Sequence, residues 1–391
     1  MPKWGETGTV SPAGTPPLRV GTRGSALATT QSGHVARRLE ELTGRDVELV
    51  RVRTDGDVLT GSLAQMGGTG VFVTALREAL LDGRCDVAVH SLKDLPTEPA
   101  PGLTVVTPER ENPRDVLCAR DGLTLTTLPR GARVGTGSPR RAAQLRSVRP
   151  DLDVVDIRGN VDTRLARALG PDADLDAVVL AYAGLARLGR LDAVSEVVDT
   201  AIMAPAAGQG TLAVEVRTAS LDDPVLARAL HDLDHEPTRL AVLAERSLLA
   251  RLEAGCAAPV GAHAVVEDGE VVLTAVVARV DGVEQLTHSG RTTVPVGASS
   301  PDARDDAARA LGVRVADALL ADGAARLAPL RETGSGPGAG AGSESETVTG
   351  TGTAQATTRQ ATDADAVPSP DRAVETAREQ LRDGGYRGEA E

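Results

Sequence analysis

Two short stretches of this chain gather cations where an anion would be held. GTGSPRR (135–141) and RGNVDTR (158–164) place Arg140, Arg141, Arg158 and Arg164 around two strand-to-helix turns. Ser138 followed by Pro139 has the N-cap then first-turn pattern of a helix start, so loop amides and the helix dipole favour an anion near Thr136 and Ser138. Guanidinium forks in the next turn grip carboxylates bidentately. Arg158 lies at a strand end, Asn160 is the cap of the second helix, and Arg164 falls in its first turns. Arg187, beyond AVVLAYAG, either enters the same cleft or lies on a helix surface. A solvated basic helix face is the rival reading of Arg140 and Arg141. The whole chain carries a formal charge of -13, which argues against a nucleic-acid track. A small molecule with several carboxylates or phosphates fits the local cluster instead.

HSLKDLP (90–96) follows a buried strand and sets Lys93 beside Asp94. The pair offers a cation for an anionic substituent and a carboxylate for proton transfer or for stabilising a developing cation. A structural salt bridge or an Asp cap explains it equally well in isolation. Arg23 and Ser25 stand at the equivalent end of the first strand, and Gln209 lies in PAAGQG (205–210) between two strands. Cys256, in LEAGCAAPVG, follows a helix in a small-residue loop that leaves its sulfur accessible, so it is the candidate for covalent attachment, with an inert buried thiol as the alternative. Cys85 and Cys118 adjoin strands and read as packed. The three cysteines have neither metal-ligand spacing nor a disulfide framework.

The elements that must position these residues alternate. LRVGTR (18–23), VELVRVR (47–53) and DVAVH (86–90) read as strands, with helices over 26–42 and 72–81 between them, which makes a βαβ sheet domain. The segment 54–70 is Gly-rich and reads as a loop or lid. A second cycle runs VLCAR, ARVGT, a helix over 138–148, DVVDI, a helix after Asn160, and AVVLA (177–181). TLAVEVR (211–217) returns to the first sheet, giving two domains joined by two crossings around a cleft. Beyond Pro237 the pattern changes to a helix, three strands with short turns and a helix over 303–321, an antiparallel sheet with helices on one face.

With 391 residues the chain can bury two or three cores. No apolar run is long enough to span a bilayer, and MPKWGETGTVSPAGTPP lacks the features of a secretory signal, so the cytoplasm is expected. From Glu332 to Glu391 eleven acidic residues face five arginines in a Gly/Ser/Thr-rich stretch, expected to be disordered.

RVGTRGSALA, GGTGVFVTALREALL, VAVHSLKDLP, VGTGSPRRAAQL, DIRGNVDTRL, AYAGLARLG, PAAGQG and LEAGCAAPVG together resemble the porphobilinogen deaminase, or hydroxymethylbilane synthase, family over Leu18 to Leu330. The resemblance implies a combined α/β and α+β architecture of three domains. The first two are periplasmic-binding-protein-like lobes around a cleft, and the third is a small antiparallel sheet with helices on one face. The implied division is a lead over 1–17, a first domain over 18–110 plus 211–228, a second over 114–205, a third over 233–330 and a tail over 331–391.

It also implies a dipyrromethane cofactor held by a thioether at Cys256, and Asp94 as the catalytic carboxylate. Arg23, Ser25, Lys93, Thr136, Ser138, Arg140, Arg141, Arg158, Arg164 and Arg187 match positions that hold acetate and propionate groups, with Gln209 in the inter-domain loop. The implied activity is a transferase reaction: head-to-tail condensation of four porphobilinogen molecules with loss of ammonia, then hydrolytic release of the linear tetrapyrrole. The expected partners are porphobilinogen and the growing polypyrrole chain, with no nucleic acid, membrane or metal. The protein is expected to be a monomer that hands its product to uroporphyrinogen-III synthase.

Thr69, Gly137, Pro139, Asp162 and Ala254 depart from the family's usual wording, Asp162 adding negative charge beside the binding loops and Ala254 restricting the backbone beside Cys256. Phe72, the only phenylalanine, resembles a family aromatic near the cleft. A two-lobed protein that captures a polycarboxylate without chemistry is the rival from another class; Cys256 and Asp94 do not follow from it.

Overall fold

The computed structural model describes residues 16–52, 70–255, 258–294 and 301–330. The expectations for the lead, the Gly-rich segment with Thr69, Cys256, the tail and the side chain of Phe72 lie outside the described residues.

The first lobe is built from β1 (Leu18–Thr22), α1 (Ala26–Thr43), β2 (Val47–Arg51), α2 (Gly70–Leu81), β3 (Val87–Ser91) and β4 (Leu103–Val106). The second comprises β5 (Asp115–Ala119), β6 (Arg133–Gly135), α3 (Pro139–Val148), β7 (Asp153–Val155), α4 (Val161–Leu169), β8 (Ala177–Ala181), α5 (Tyr182–Arg187) and β9 (Glu196–Val197). The chain then re-enters the first lobe as β10 (Leu212–Arg217) and α6 (Pro224–Leu233).

The sheet orders are β2-β1-β3-β10-β4 and β7-β6-β8-β5-β9. In each sheet three parallel strands are followed by one antiparallel strand that enters directly from a crossing between lobes, β10 in the first and β5 in the second. That repeated order makes the two similar sheet lobes expected from the sequence. Successive residues of β5 serve opposite faces, Leu117 and Ala119 packing with Leu145 and Val179 while Val116 and Cys118 pack with Leu165 and Val178. Both faces of the sheet are therefore dry, which is why these strands are short unbroken apolar runs.

The third domain holds α7 (Glu236–Arg251), the antiparallel strands β11 (Val260–Glu267), β12 (Glu270–Ala278) and β13 (Gln285–Thr293), then α8 (Pro301–Ala321) and α9 (Ala324–Leu327). Leu240, Leu248, Leu273, Val277, Leu311 and Leu319 form its core. The last strand starts at Gln285. QLTHSGRTT has no apolar alternation to announce it, and full register with β12 from Ala278↔Gln285 to Glu270↔Thr293 draws it out.

The three bodies meet at Glu245 of α7, whose side chain is fully buried. It accepts from Arg110 Nη1 at 2.7 Å on one crossing, from the Gly208 amide at 2.6 Å on the other, and from the Ala264 amide of β11 at 2.8 Å. Arg110 also donates through Nε to Gln209 O at 2.8 Å. A carboxylate with this many donors is tolerable inside a protein, and removing it strands a guanidinium. Glu245→Ala should lower the stability of the docked assembly by about 3–5 kcal/mol. Chemical denaturation followed by tryptic release of the third domain would check this, and an unchanged midpoint would contradict it.

Candidate functional site

All the candidate side chains within the described residues issue from carboxyl ends of sheet strands or from the crossings. The two lobes turn these edges toward each other, the usual location for a ligand in open α/β sheets. After β1, Ser25 caps α1 by accepting from the Ala28 amide at 3.2 Å, and the Arg23 carbonyl just before it accepts from Thr29 Oγ1 at 3.5 Å. After β3, residues Leu92–Asp94 form a single 3-10 turn carrying Lys93 and Asp94. After β6, Ser138 caps α3 with its hydroxyl toward the Arg141 amide at 3.5 Å, while Thr136 Oγ1 accepts from the Ser138 amide at 3.2 Å. After β7, Asn160 caps α4 by accepting from the Thr163 amide at 2.9 Å. The sequence therefore located both helix starts, including Pro139 in the first turn of α3. Gly137 is required there, since a Cβ at this position would stand 2.5 Å from the Ile157 carbonyl oxygen.

The arginines at these starts are differently placed from one another. Arg140 and Arg141 are only 4% and 5% exposed, so they are not a solvated helix face. Both grip Asp115 at the start of β5: Arg141 Nε and Nη2 reach Oδ1 at 3.0 and 2.7 Å, and Arg140 Nη2 lies 2.8 Å from Oδ2. Arg141 Nη1 also donates to Val179 O, and Arg140 Nη1 to Ala204 O. Burial would push the Asp115 carboxyl up, but Arg140 and Arg141 more than offset it and hold it at about 2. One carboxylate thus neutralises half the charge of the pair. Arg140 Nε is buried without a hydrogen-bond partner among the described residues.

Gln209 carries this cluster across the cleft. Its amide nitrogen donates to Asp115 Oδ1 at 2.8 Å and to Pro113 O at 2.7 Å, and its amide oxygen accepts from Lys93 Nζ at 3.2 Å. Its side chain thereby bridges the two lobes. Enclosure by protein and the neighbouring Arg141 draw the Lys93 ammonium down to about 8. Its side chain nevertheless remains exposed in the open cleft, so the enclosure is partial and the cationic neighbour is the firmer cause.

Arg164 and Arg187 line the same region half-buried. Burial pulls both guanidiniums down, with Arg141 and Arg158 adding to the effect on Arg164. Arg164 donates to Gly159 O at 2.8 Å and Arg187 to Gly210 O at 2.5 Å. Neither has a carboxylate at ion-pair distance among the described residues. Arg158 is exposed and pairs with Asp156 at 3.0 Å. Asp162 pairs with Arg190 at 2.5 Å, which absorbs the negative charge that set this chain apart from the family pattern. Cys85 and Cys118 are fully buried, and burial pushes the Cys118 thiol up to about 12, as packed thiols require.

Cys256 lies outside the described residues. Its loop leaves α7 at Arg251, pairs Ala254 with Leu330 in a single bridge and resumes at Ala258. The sequence reading missed Asp115, Arg110, Glu245 and Arg246. Asp115 alone left a signal, an acidic residue opening the otherwise apolar strand DVLCA.

Among the described residues the cleft thus sets Lys93, Arg140, Arg141, Arg164 and Arg187 against the buried carboxylate of Asp115 and that of Asp94, leaving the cations in excess. A two-ring pyrrole carrying two carboxylates on each ring supplies the missing negative charge, so the residues present fit a dipyrromethane. No helix among the described residues is long and apolar enough to cross a membrane. Residues 18–223 match the family model described as porphobilinogen deaminase, dipyromethane cofactor binding domain, and residues 239–321 match the porphobilinogen deaminase C-terminal domain. The porphobilinogen deaminase of Leifsonia xyli subsp. xyli is 57% identical over 321 residues, covering 80% of this chain and 95% of that protein. That of Micrococcus luteus is 52% identical, covering 79% and 93%, and that of Thermobifida fusca is 52% identical, covering 82% and 99%. With the cationic cleft, the two crossings and both matched regions in place, this chain belongs to the porphobilinogen deaminase family.

Proposed function

We propose that the protein is a hydroxymethylbilane synthase, a transferase that condenses four porphobilinogen molecules head to tail with loss of ammonia and then releases the linear tetrapyrrole for porphyrin biosynthesis. The observation that carries this reading is the excess of cleft cations over carboxylates, next to the solvent-facing Lys93–Asp94 turn. A dipyrromethane, when bound, supplies the pyrrole carbon to which the first unit is joined. Cys256 is the residue proposed to hold it by a thioether. Porphobilinogen reaches the same cleft as an anionic pyrrole.

Lys93, Arg140, Arg141, Arg158 and Arg164, with the hydroxyls and amides at Thr136 and Ser138, would hold the cofactor's acetates and propionates. Arg23, Ser25, Arg158, Arg164 and Arg187 would hold those of the incoming ring. Asp94 faces the reacting pyrrole nitrogens. As ammonia leaves the aminomethyl group of porphobilinogen, the ring left behind becomes electron-poor, and a carboxylate beside its nitrogen stabilises the positive charge that develops. The same carboxylate takes up and returns the ring protons as the new carbon–carbon bond forms. A monomeric cytoplasmic enzyme, with uroporphyrinogen-III synthase receiving the product, completes the reading.

Asp94→Ala should retain the bound primer, because the arginines are untouched, while elongation falls by about a hundredfold or more. Single-turnover mixing with porphobilinogen, read by the mass of the covalent adducts, tests this. Near-normal elongation would remove Asp94 from the chemistry.

Lys93 is cationic below about 8 and neutral above it. Attraction for carboxylates through this residue is therefore present at low pH and lost as pH rises through that value. Adduct assembly from porphobilinogen by cofactor-free protein should slow over that range, and Lys93→Arg, whose charge persists, should move the decline to higher pH. Parallel profiles for the two proteins would contradict it.

A further inference from the structure

The turn that carries Lys93 and Asp94 belongs to the first lobe, yet its backbone is held by the third domain. Arg246, on α7, donates through Nη1 to Leu92 O at 3.2 Å and to Leu95 O at 3.2 Å, and through Nη2 to Pro96 O. Leu92 and Leu95 bracket the 3-10 turn on either side of Lys93 and Asp94. The contact is reinforced one helical turn earlier, where Val242 of α7, 2% exposed, packs with Leu92, Leu95, Val73 and Ala213. Docking thus has an apolar pin and a polar clasp on the same three-residue turn.

The choice of residue is informative. Arg246 has no carboxylate at ion-pair distance among the described residues, although Glu215 and Glu245 act on it from farther off. Burial, with the like charge of Arg77, draws its guanidinium down to about 10. A half-buried cation satisfied by carbonyls is a costly way to pack two domains, and hydrophobic side chains of similar size would serve docking alone. Three carbonyls fanned around one planar fork fix the direction of a backbone segment, which a point-like ammonium cannot do. Arg246 also sits one and a half helical turns before Arg251, where α7 gives way to the loop of Cys256.

We infer that Arg246 is a positioning residue for the reaction: it sets the Lys93–Asp94 turn in register with the third domain. The inference rests on the hydroxymethylbilane synthase reading for its consequence, but the clasp can be measured without it.

Two variants separate the roles. Arg246→Lys keeps the cation without the planar fork; Arg246→Met keeps bulk alone. In both, with the holoenzyme, amide hydrogen exchange over 92–96 should rise by roughly tenfold or more while β5, β8 and β12 stay protected. Misplacing the carboxylate by about an ångström should lower kcat for porphobilinogen by about a hundredfold in Arg246→Met, with KM changed less than about threefold and Arg246→Lys in between. Unchanged exchange over 92–96 would show that no clasp exists. Raised exchange with wild-type kcat would make the contact merely structural and overturn the positioning role. A wild-type protein that consumes no porphobilinogen would defeat the enzyme reading, while the exchange result would still decide the clasp.

Discussion

Two guanidiniums and one carboxylate shut away from water set the terms for the rest of this molecule. Asp115 stands at the start of a strand whose next four residues are buried, where an isolated charge would be untenable. Arg140 and Arg141 make it tenable, and they can do so only if the loop after β6 delivers α3 onto that strand. The close approach of Gly137 to Ile157 and the cap at Ser138 are what deliver it. The cluster retains one unit of positive charge, aimed by its own ion pairs. That charge is therefore held in place by a folded core, the condition under which fixed charges are most effective.

The same economy runs across the lobes. Gln209 spends its amide on Asp115 and on Lys93, so the cationic turn of one lobe is registered against the arginine pair of the other. Glu245 gathers both crossings, and Gly210 on the second crossing adopts a φ of +89 where a side chain would collide with the Glu111 carbonyl. The connections between lobes are thus tight, specific backbone paths, and the third domain is bolted to them rather than appended to the chain end.

Much of this was legible in the sequence. Strands buried on both faces appear as short apolar runs such as AVVLA and DVLCA. Helix starts declare themselves by Ser138-Pro139 and Asn160, and the contrast between parallel and antiparallel regions follows from the spacing of the strands. Partnerships between distant residues were not legible. Arg110 and Glu245 lie 135 positions apart, and Arg246 and Leu92 lie 154 apart. Nothing local distinguishes Arg246 from the other charged residues of an amphipathic helix. The sequence shows the charge of Arg140 and Arg141 but not Asp115 folding beneath them. Asp162 looked like an intrusion of negative charge until Arg190 was seen to meet it.

The central claim is that this cationic cleft serves a covalently held pyrrole primer on Cys256. The most direct test is the intact mass of the untagged protein after reaction with porphobilinogen, with peptide mapping across 252–260. The account predicts a two-pyrrole adduct on the sulfur of Cys256 and heavier species spaced by one pyrrole unit. A protein that remains unmodified throughout, or an adduct on any other residue, would contradict it.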